Sequence, residues 1–202
     1  MRFSSVITLL LIIVLHALPP NIRAADPDSG KSPLLEGDHV AHFQARTHDG
    51  TVWKSEDHIG KKYVVVYFYP AAFTSSCTRQ ACLFRNHLQE IQLAGAEVVG
   101  VSGDSTAGLQ LFQRHHSLNF PLLSDEQGSI ARLFGVPLRE GDKITRSIDG
   151  IEHLLLRGVT ASRWTFIIDP QGRIVARNTT VDPEKDATNV LNTIRRLTAS
   201  AQ

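Results

Sequence analysis

Apolar residues fall into two kinds of run along this chain, and their spacing divides it into extended and helical segments. Tyr63 to Tyr69 and Val98 to Val101 are nearly unbroken apolar stretches, the pattern of central strands covered on both faces. Helical spacing follows the first of them. Leu83, Phe84, Leu88, Ile91 and Leu93 recur through Cys82 to Ala94, and Gly95 ends the run. A strand is predicted over Glu97 to Ser102. Ala107 to His116 carries Leu109, Leu111 and Phe112 among polar residues, an amphipathic helix. A short strand around Phe120 to Leu123 and a short helix over Ser129 to Phe134 come next. Trp164 to Ile168 reads as a strand that Asp169-Pro-Gln-Gly172 turns into a second one, Arg173 to Asn178. Asp182-Pro183 opens a last helix through Leu197, with Pro183 in its first turn. Extended and helical segments alternate from about Leu34 onward, so the predicted class is α/β, in one domain over residues 34–202 without repeats.

The first residues follow another pattern. Arg2 precedes an apolar stretch from Val6 to Leu18, which Pro19-Pro20 stops before Ala24 and Ala25. This is the layout of a signal peptide over residues 1–24. The stretch is shorter than the roughly 20 residues that span a bilayer, so no membrane anchor is expected to remain after its removal. Residues 25–33 read as a linker. Export places any thiol in an oxidising setting, where a catalytic cycle needs a supplied reductant. The 202 residues carry a formal charge of +1, which gives no argument for a nucleic-acid partner. Partners have to be inferred from the chemistry of a site.

That chemistry is sulfur. The chain has two cysteines, Cys77 and Cys82, inside Pro70-Ala-Ala-Phe-Thr74-Ser-Ser-Cys77-Thr-Arg-Gln-Ala-Cys82, directly after the Tyr63 to Tyr69 run. The segment reads as strand, loop, then a helix with a thiol in its first turn. Unpaired backbone N–H groups and the helix dipole favour a thiolate there. Taken singly, Arg163 beside a strand reads as a solvated charge, Thr74 as a loop or cap residue, and Trp164 as a packing residue. The nine histidines, among them His87, His115 and His116, show no regular metal spacing. Neither a metal nor a cofactor is expected.

Together these residues resemble the peroxiredoxins. Pro70-x-x-x-Thr74-x-x-Cys77 after a buried strand matches their active-site motif. Cys82 matches the peroxiredoxin Q, or bacterioferritin comigratory protein, branch. The similarity runs from about Leu34 to Leu197 and includes Tyr67-Phe-Tyr-Pro70, Leu123-Ser-Asp125, Phe134-Gly-Val136 and Arg163-x-Thr-Phe-Ile-Ile-Asp169. It implies a thioredoxin-like fold, a central mixed β-sheet flanked by helices, and a thiol peroxidase acting on hydrogen peroxide or organic hydroperoxides. Residue by residue, it makes Cys77 the nucleophile and has the Thr74 hydroxyl hold the peroxide oxygen. Pro70 closes the pocket against water, and Arg163 supplies guanidinium donors. Such a site suits the reaction: a thiolate attacks one oxygen while fixed donors stabilise the charge growing on the other, and arginine stays charged with a planar fork of N–H groups.

Attack leaves a sulfenic acid, which the resemblance has Cys82 resolve as an intramolecular disulfide. Five residues apart on one regular helix, the two Cα atoms stand roughly 8–9 Å apart and about 140° around the axis. A disulfide needs less than about 7 Å, so the turn between them is expected to unwind. A thioredoxin-like reductant, a monomeric state and a periplasmic location complete what the resemblance implies.

Some positions depart from the family. Gln80 stands where a carboxylate is common, which questions an acidic contact to arginine there. Ala41-His42 replaces a common Ala-Pro pair. Leu138 to Ser162 is longer than usual, with Gly141-Asp142 and Asp149-Gly150 as turn signals around Leu154 to Leu156, and reads as an inserted hairpin that shields the site or docks a partner. Two other functions stay open. A thiol:disulfide oxidoreductase is expected to carry Cys-x-x-Cys. A copper-delivery protein of thioredoxin fold would add a histidine to two thiols, and His153, on a predicted loop, is the candidate. Its cysteines usually stand one residue closer, and it lacks the Pro70, Thr74 and Arg163 set.

Overall fold

The computed structural model describes residues 32–200. The expected signal peptide and all but the end of the expected linker lie outside the described residues. Among the described residues, no helix is long and apolar enough to cross a membrane.

A mixed sheet carries the fold. Its strands are β1 (Gln44–Thr47), β2 (Val52–Lys54), β3 (Tyr63–Phe68), β4 (Ala96–Ser102), β5 (Leu122–Ser124), β8 (Trp164–Ile168) and β9 (Ile174–Asn178), in the order β2-β1-β5-β4-β3-β8-β9. The remaining strands, β6 (Leu138–Ile148) and β7 (Ile151–Ala161), form a separate hairpin. Helices α1 (Ser75–Leu93), α2 (Thr106–His116), α3 (Ser129–Phe134) and α4 (Asp186–Ser200) cover the sheet.

Strand β3 lies at the middle, parallel to β4 with Val65 opposite Val98 and antiparallel to β8 with Val66 opposite Phe166. Successive side chains of a strand point to opposite faces, and here each face meets its own core. Val65, Tyr67 and Tyr69 pack with Phe84 and Ile91 of α1, Phe112 of α2 and Ile194 of α4. Val64, Val66 and Phe68 pack with Trp53, Phe134 and Phe166. Burial on both sides is why the run is apolar without alternation.

Four local features differ from the sequence reading. Strands β1 and β2 are too short for a periodic signal, and their pairing follows from the Thr47-to-Thr51 turn, where the Asp49 carboxylate accepts from the Thr51 N–H at 3.0 Å. Helix α4 starts at Asp186 rather than at Asp182-Pro183. The Asp182 side chain accepts from Glu184 N (3.0 Å) and its carbonyl from Lys185 N (3.1 Å), so these groups close a turn before the helix begins. Gly141-Asp142 makes no turn but runs inside β6, and His153 lies in β7 opposite Arg146 rather than on a loop.

The hairpin itself is confirmed for residues 138–161. Its turn is Asp149-Gly150, with φ of 52° and 80°, the left-handed pair that matches strand twist. Ile148 and Leu155 point inward and are buried, while Leu154 and Leu156 face out. The base docks on the loop after β4: Gly158 N donates to Gly103 O and Ser105 N donates to Leu156 O, both at 2.9 Å. A Cβ on Gly103 would come within 2.0 Å of the Val159 carbonyl oxygen, so the close approach requires glycine.

Candidate active site

The loop between β3 and α1 is pinned by hydrogen bonds at Tyr69 and at Ala72. Tyr69 N still donates to Val101 O (3.1 Å), continuing the β3–β4 ladder, and Pro70, half-buried, ends it. Ala72 N donates to the buried Asp104 carboxylate at 2.8 Å. The same oxygen accepts from Ser102 Oγ at 2.9 Å, and Arg157 of the hairpin stands 3.8 Å from the other. Burial pushes the Asp104 carboxyl up, against the hydrogen bonds from Ala72 and Ser102 and the Arg157 charge. Phe73 takes φ of 60°, a conformation that a bulky residue keeps only when its surroundings impose it. Its ring is wedged against Phe112, His115 and His116, with centroids 5.2, 5.9 and 5.7 Å away.

Thr74 is the N-cap of α1, in extended conformation. Its hydroxyl donates to Ala71 O at 3.0 Å instead of capping the helix, which leaves the oxygen lone pairs to accept a hydrogen bond from a ligand. Cys77 is the third helical residue and is 1% exposed. The N–H groups of this first turn have no intrahelical partner. Cys82 follows on the same unbroken helix, partly buried, and both thiols are free. The regular helix therefore holds them apart in the way the spacing predicts.

Arg163, immediately before β8, reaches this helix. Its Nη2 stands 3.2 Å from Cys77 Sγ, and its Nη1 donates to Gln80 Oε1. The other end of the Gln80 amide, Nε2, donates to Asp186 Oδ2 at 2.7 Å, and Thr165 Oγ1 donates to that oxygen at 2.8 Å. Gln80 and Asp186 are both fully buried. Desolvation pushes the Asp186 carboxyl up, opposed by the Thr165 and Gln80 hydrogen bonds and by the Arg163 charge. The doubt attached to Gln80 is thus resolved in an unexpected way: an amide, not a carboxylate, faces the arginine, and the acidic group is supplied from α4 behind it. In the core that also holds Cys77, the Tyr67 hydroxyl is buried without a hydrogen-bond partner, and burial pushes the Tyr67 and Tyr69 phenols up.

The fold thus brings Cys77, Arg163 and Thr74 to one helix mouth, with Pro70 on the loop that leads to it. Asp186, Asp104 and Arg157 were missed by sequence reading. Asp104, two residues past Ser102 at the end of an apolar strand, could have been suspected as a loop anchor. Nothing in the chain signals Asp186, which meets Gln80 across 106 positions. Among the described residues, no three His, Cys, Asp or Glu side chains are grouped to hold a metal ion.

Comparison with known proteins identifies the family and the fold. The AhpC/TSA family matches residues 37–177. The chloroplastic peroxiredoxin Q of Oryza sativa subsp. japonica is 33% identical over 186 residues, covering 89% of this chain and 78% of that protein. Peroxiredoxin Bcp of Escherichia coli is 36% identical, over 71% of this chain and 84% of its own length. The crystal structure of peroxidoxin BcpB from Mycobacterium tuberculosis matches with a TM-score of 0.68 at 31% identity, over 81% of this chain and 98% of that one. The bacterioferritin comigratory protein of Xanthomonas campestris, whose structures concern alkyl peroxide reduction, gives 0.63 at 28% identity, over 77% and 92%. The fold is thioredoxin-like, and the chain belongs to the AhpC/TSA family, as a peroxiredoxin of the peroxiredoxin Q and Bcp branch.

Proposed function

We propose that this chain is an exported thiol peroxidase that reduces hydrogen peroxide and organic hydroperoxides through Cys77. The observation that carries the reading is the Arg163 guanidinium 3.2 Å from a buried thiol in the first turn of a helix. Cys77 Sγ attacks one peroxide oxygen, the O–O bond breaks, and the departing oxygen takes a proton to leave as water or alcohol. Arg163 and the first-turn N–H groups stabilise the charge that grows during this step, while the Thr74 oxygen receives a hydrogen bond from the peroxide. Pro70 limits water at the mouth. The sulfenic acid left on Cys77 is attacked by the Cys82 thiolate: the S–S bond forms, the S–O bond breaks, and the departing hydroxide takes a proton from solvent to leave as water. A thioredoxin-like dithiol reduces that disulfide, with electrons passing by thiol exchange. Both thiols belong to one chain, so a monomer is sufficient.

Alkyl peroxide reduction by the Xanthomonas campestris relative supports hydroperoxides as the substrate class. The test is stopped-flow oxidation of the reduced protein by hydrogen peroxide without metal. A second-order rate orders of magnitude above that of a free thiol is expected, and a free-thiol rate would overturn the reading in favour of disulfide exchange. Export to the periplasm rests on the pattern of residues 1–24. N-terminal sequencing of protein from a periplasmic extract should begin near residue 25. Retention of Met1 in the cytoplasm would refute it.

A further inference from the structure

The Gln80 amide is held at both ends by groups that each accept only one orientation. A guanidinium has five N–H donors and no acceptor, so the atom of Gln80 facing Arg163 Nη1 has to be the oxygen. The Asp186 carboxylate oxygen 2.7 Å from the other end accepts, so the atom facing it has to be the nitrogen. Turned round, the amide would set N–H against N–H at Arg163 and oxygen against oxygen at Asp186. Both clashes would fall on buried groups, since Gln80 and Asp186 are 0% and 1% exposed, and unmatched polar atoms are most costly there. Asp186 also accepts from Thr165, two residues beyond Arg163 on β8 and paired with Tyr67 of β3. One carboxylate therefore grips the helix that carries the thiol and the strand that carries the arginine. It does so from the first residue of α4, where helix N–H groups favour an anion.

We propose that Asp186 is a positioning residue for the reaction at Cys77: it fixes the direction of the Gln80 amide, and the amide oxygen in turn holds the Arg163 fork on Sγ. Asp186 touches neither the thiol nor the peroxide, and its hold on the guanidinium passes through the Gln80 amide. The inference rests on the peroxidase reading for its role in turnover, but the arrangement also governs the reactivity of the thiol toward any electrophile.

The distinguishing substitutions follow from the chemistry of the three side chains. Asp186→Leu keeps bulk and removes the acceptor. Asp186→Asn keeps an oxygen that takes both hydrogen bonds. Gln80→Glu presents an oxygen to Arg163 whichever way it is turned, so it makes Asp186 unnecessary. In a Cys82→Ser background, alkylation of Cys77 by iodoacetamide at pH about 6 is measured beside the peroxide rate in the two-cysteine protein. Asp186→Leu is expected to slow both about tenfold, Asp186→Asn to stay within about twofold, and Gln80→Glu with Asp186→Leu to recover to within about threefold of the unsubstituted rate.

An unchanged Asp186→Leu rate overturns the proposal. So does a slow Asp186→Leu protein that Gln80→Glu fails to rescue, because a purely structural role of Asp186 would not be relieved at Gln80. A second measurement needs no variant: the Gln80 side-chain amide protons in a nitrogen-15 spectrum should exchange with water far more slowly than those of an exposed glutamine, and exchange at the exposed rate overturns the clamp. Should the protein fail to reduce peroxide, the alkylation series still decides whether Asp186 acts on Cys77.

Discussion

Arg163→Ala is expected to lower the second-order rate of peroxide reduction by about 10²–10³-fold, the loss seen when one fixed donor is taken from a charge-stabilising site, or about 3–4 kcal/mol of barrier. The guanidinium is the one cationic side chain hydrogen-bonded to Cys77 Sγ among the described residues, and its second nitrogen is engaged by Gln80. Alanine removes both contacts and leaves the first-turn N–H groups as the remaining source of positive potential. Cys77→Ser carries the series to its end, because a hydroxyl in this position has almost no anionic form at neutral pH and no polarizable sulfur. Consumption should fall to the rate of a buffer blank, as followed by peroxide loss in stopped flow. An Arg163→Ala rate within threefold of the original, with the fold intact by circular dichroism, would remove Arg163 from the mechanism. Residual rapid turnover in Cys77→Ser would move the chemistry to Cys82.

The second large effect concerns the helix rather than the rate. Both thiols lie within the unbroken Ser75–Leu93 helix, whose rise keeps their Cα atoms roughly 8–9 Å apart. A disulfide closes only below about 7 Å, and the backbone between them has to give way. Amide exchange of residues 77–86 should therefore accelerate about 100-fold or more when the reduced protein is converted to the disulfide, while β3 and β4 keep their protection. Equal protection in the two redox states would refute the unwinding. Phe84 and Leu88 mark where the unwinding stops, since they are buried in the core beneath the sheet and their exposure would cost several kcal/mol.

What the sequence discloses about this protein depends on the reach of each interaction. The β3 run, the α1 spacing and the β8–β9 turn are local patterns, and each element appears within a few residues of where periodicity puts it. The pairing of Arg163 with Cys77 has no local sign, and it was legible only because an ordered set of residues resembles a family. Two-stranded β1–β2 escaped because three or four residues are too few to show a period. Pro183 misled because proline suits both a first helical turn and the loop before it. Asp186 and Asp104 are the deepest omissions. A buried aspartate looks like any surface aspartate until the fold supplies its partners, and here those partners are Gln80 and Thr165 in one case, Ala72 and Arg157 in the other.

Gln80 stands in sequence between the two cysteines, and this has a consequence for the order of events. In the cycle proposed above, unwinding the turn that separates Cys82 from Cys77 would draw Gln80 away from Arg163 and Asp186, so the donor array would come apart as the disulfide closes. Oxidation would then act as its own brake. Once the disulfide has closed, the protein would no longer be arranged to activate another peroxide, and the Cys77 sulfur, held in that bond, would be spared further oxidation to sulfinic acid. Each pair of electrons from the proposed reductant would rewind the helix and rearm the site, so peroxide consumption would be metered by the supply of electrons.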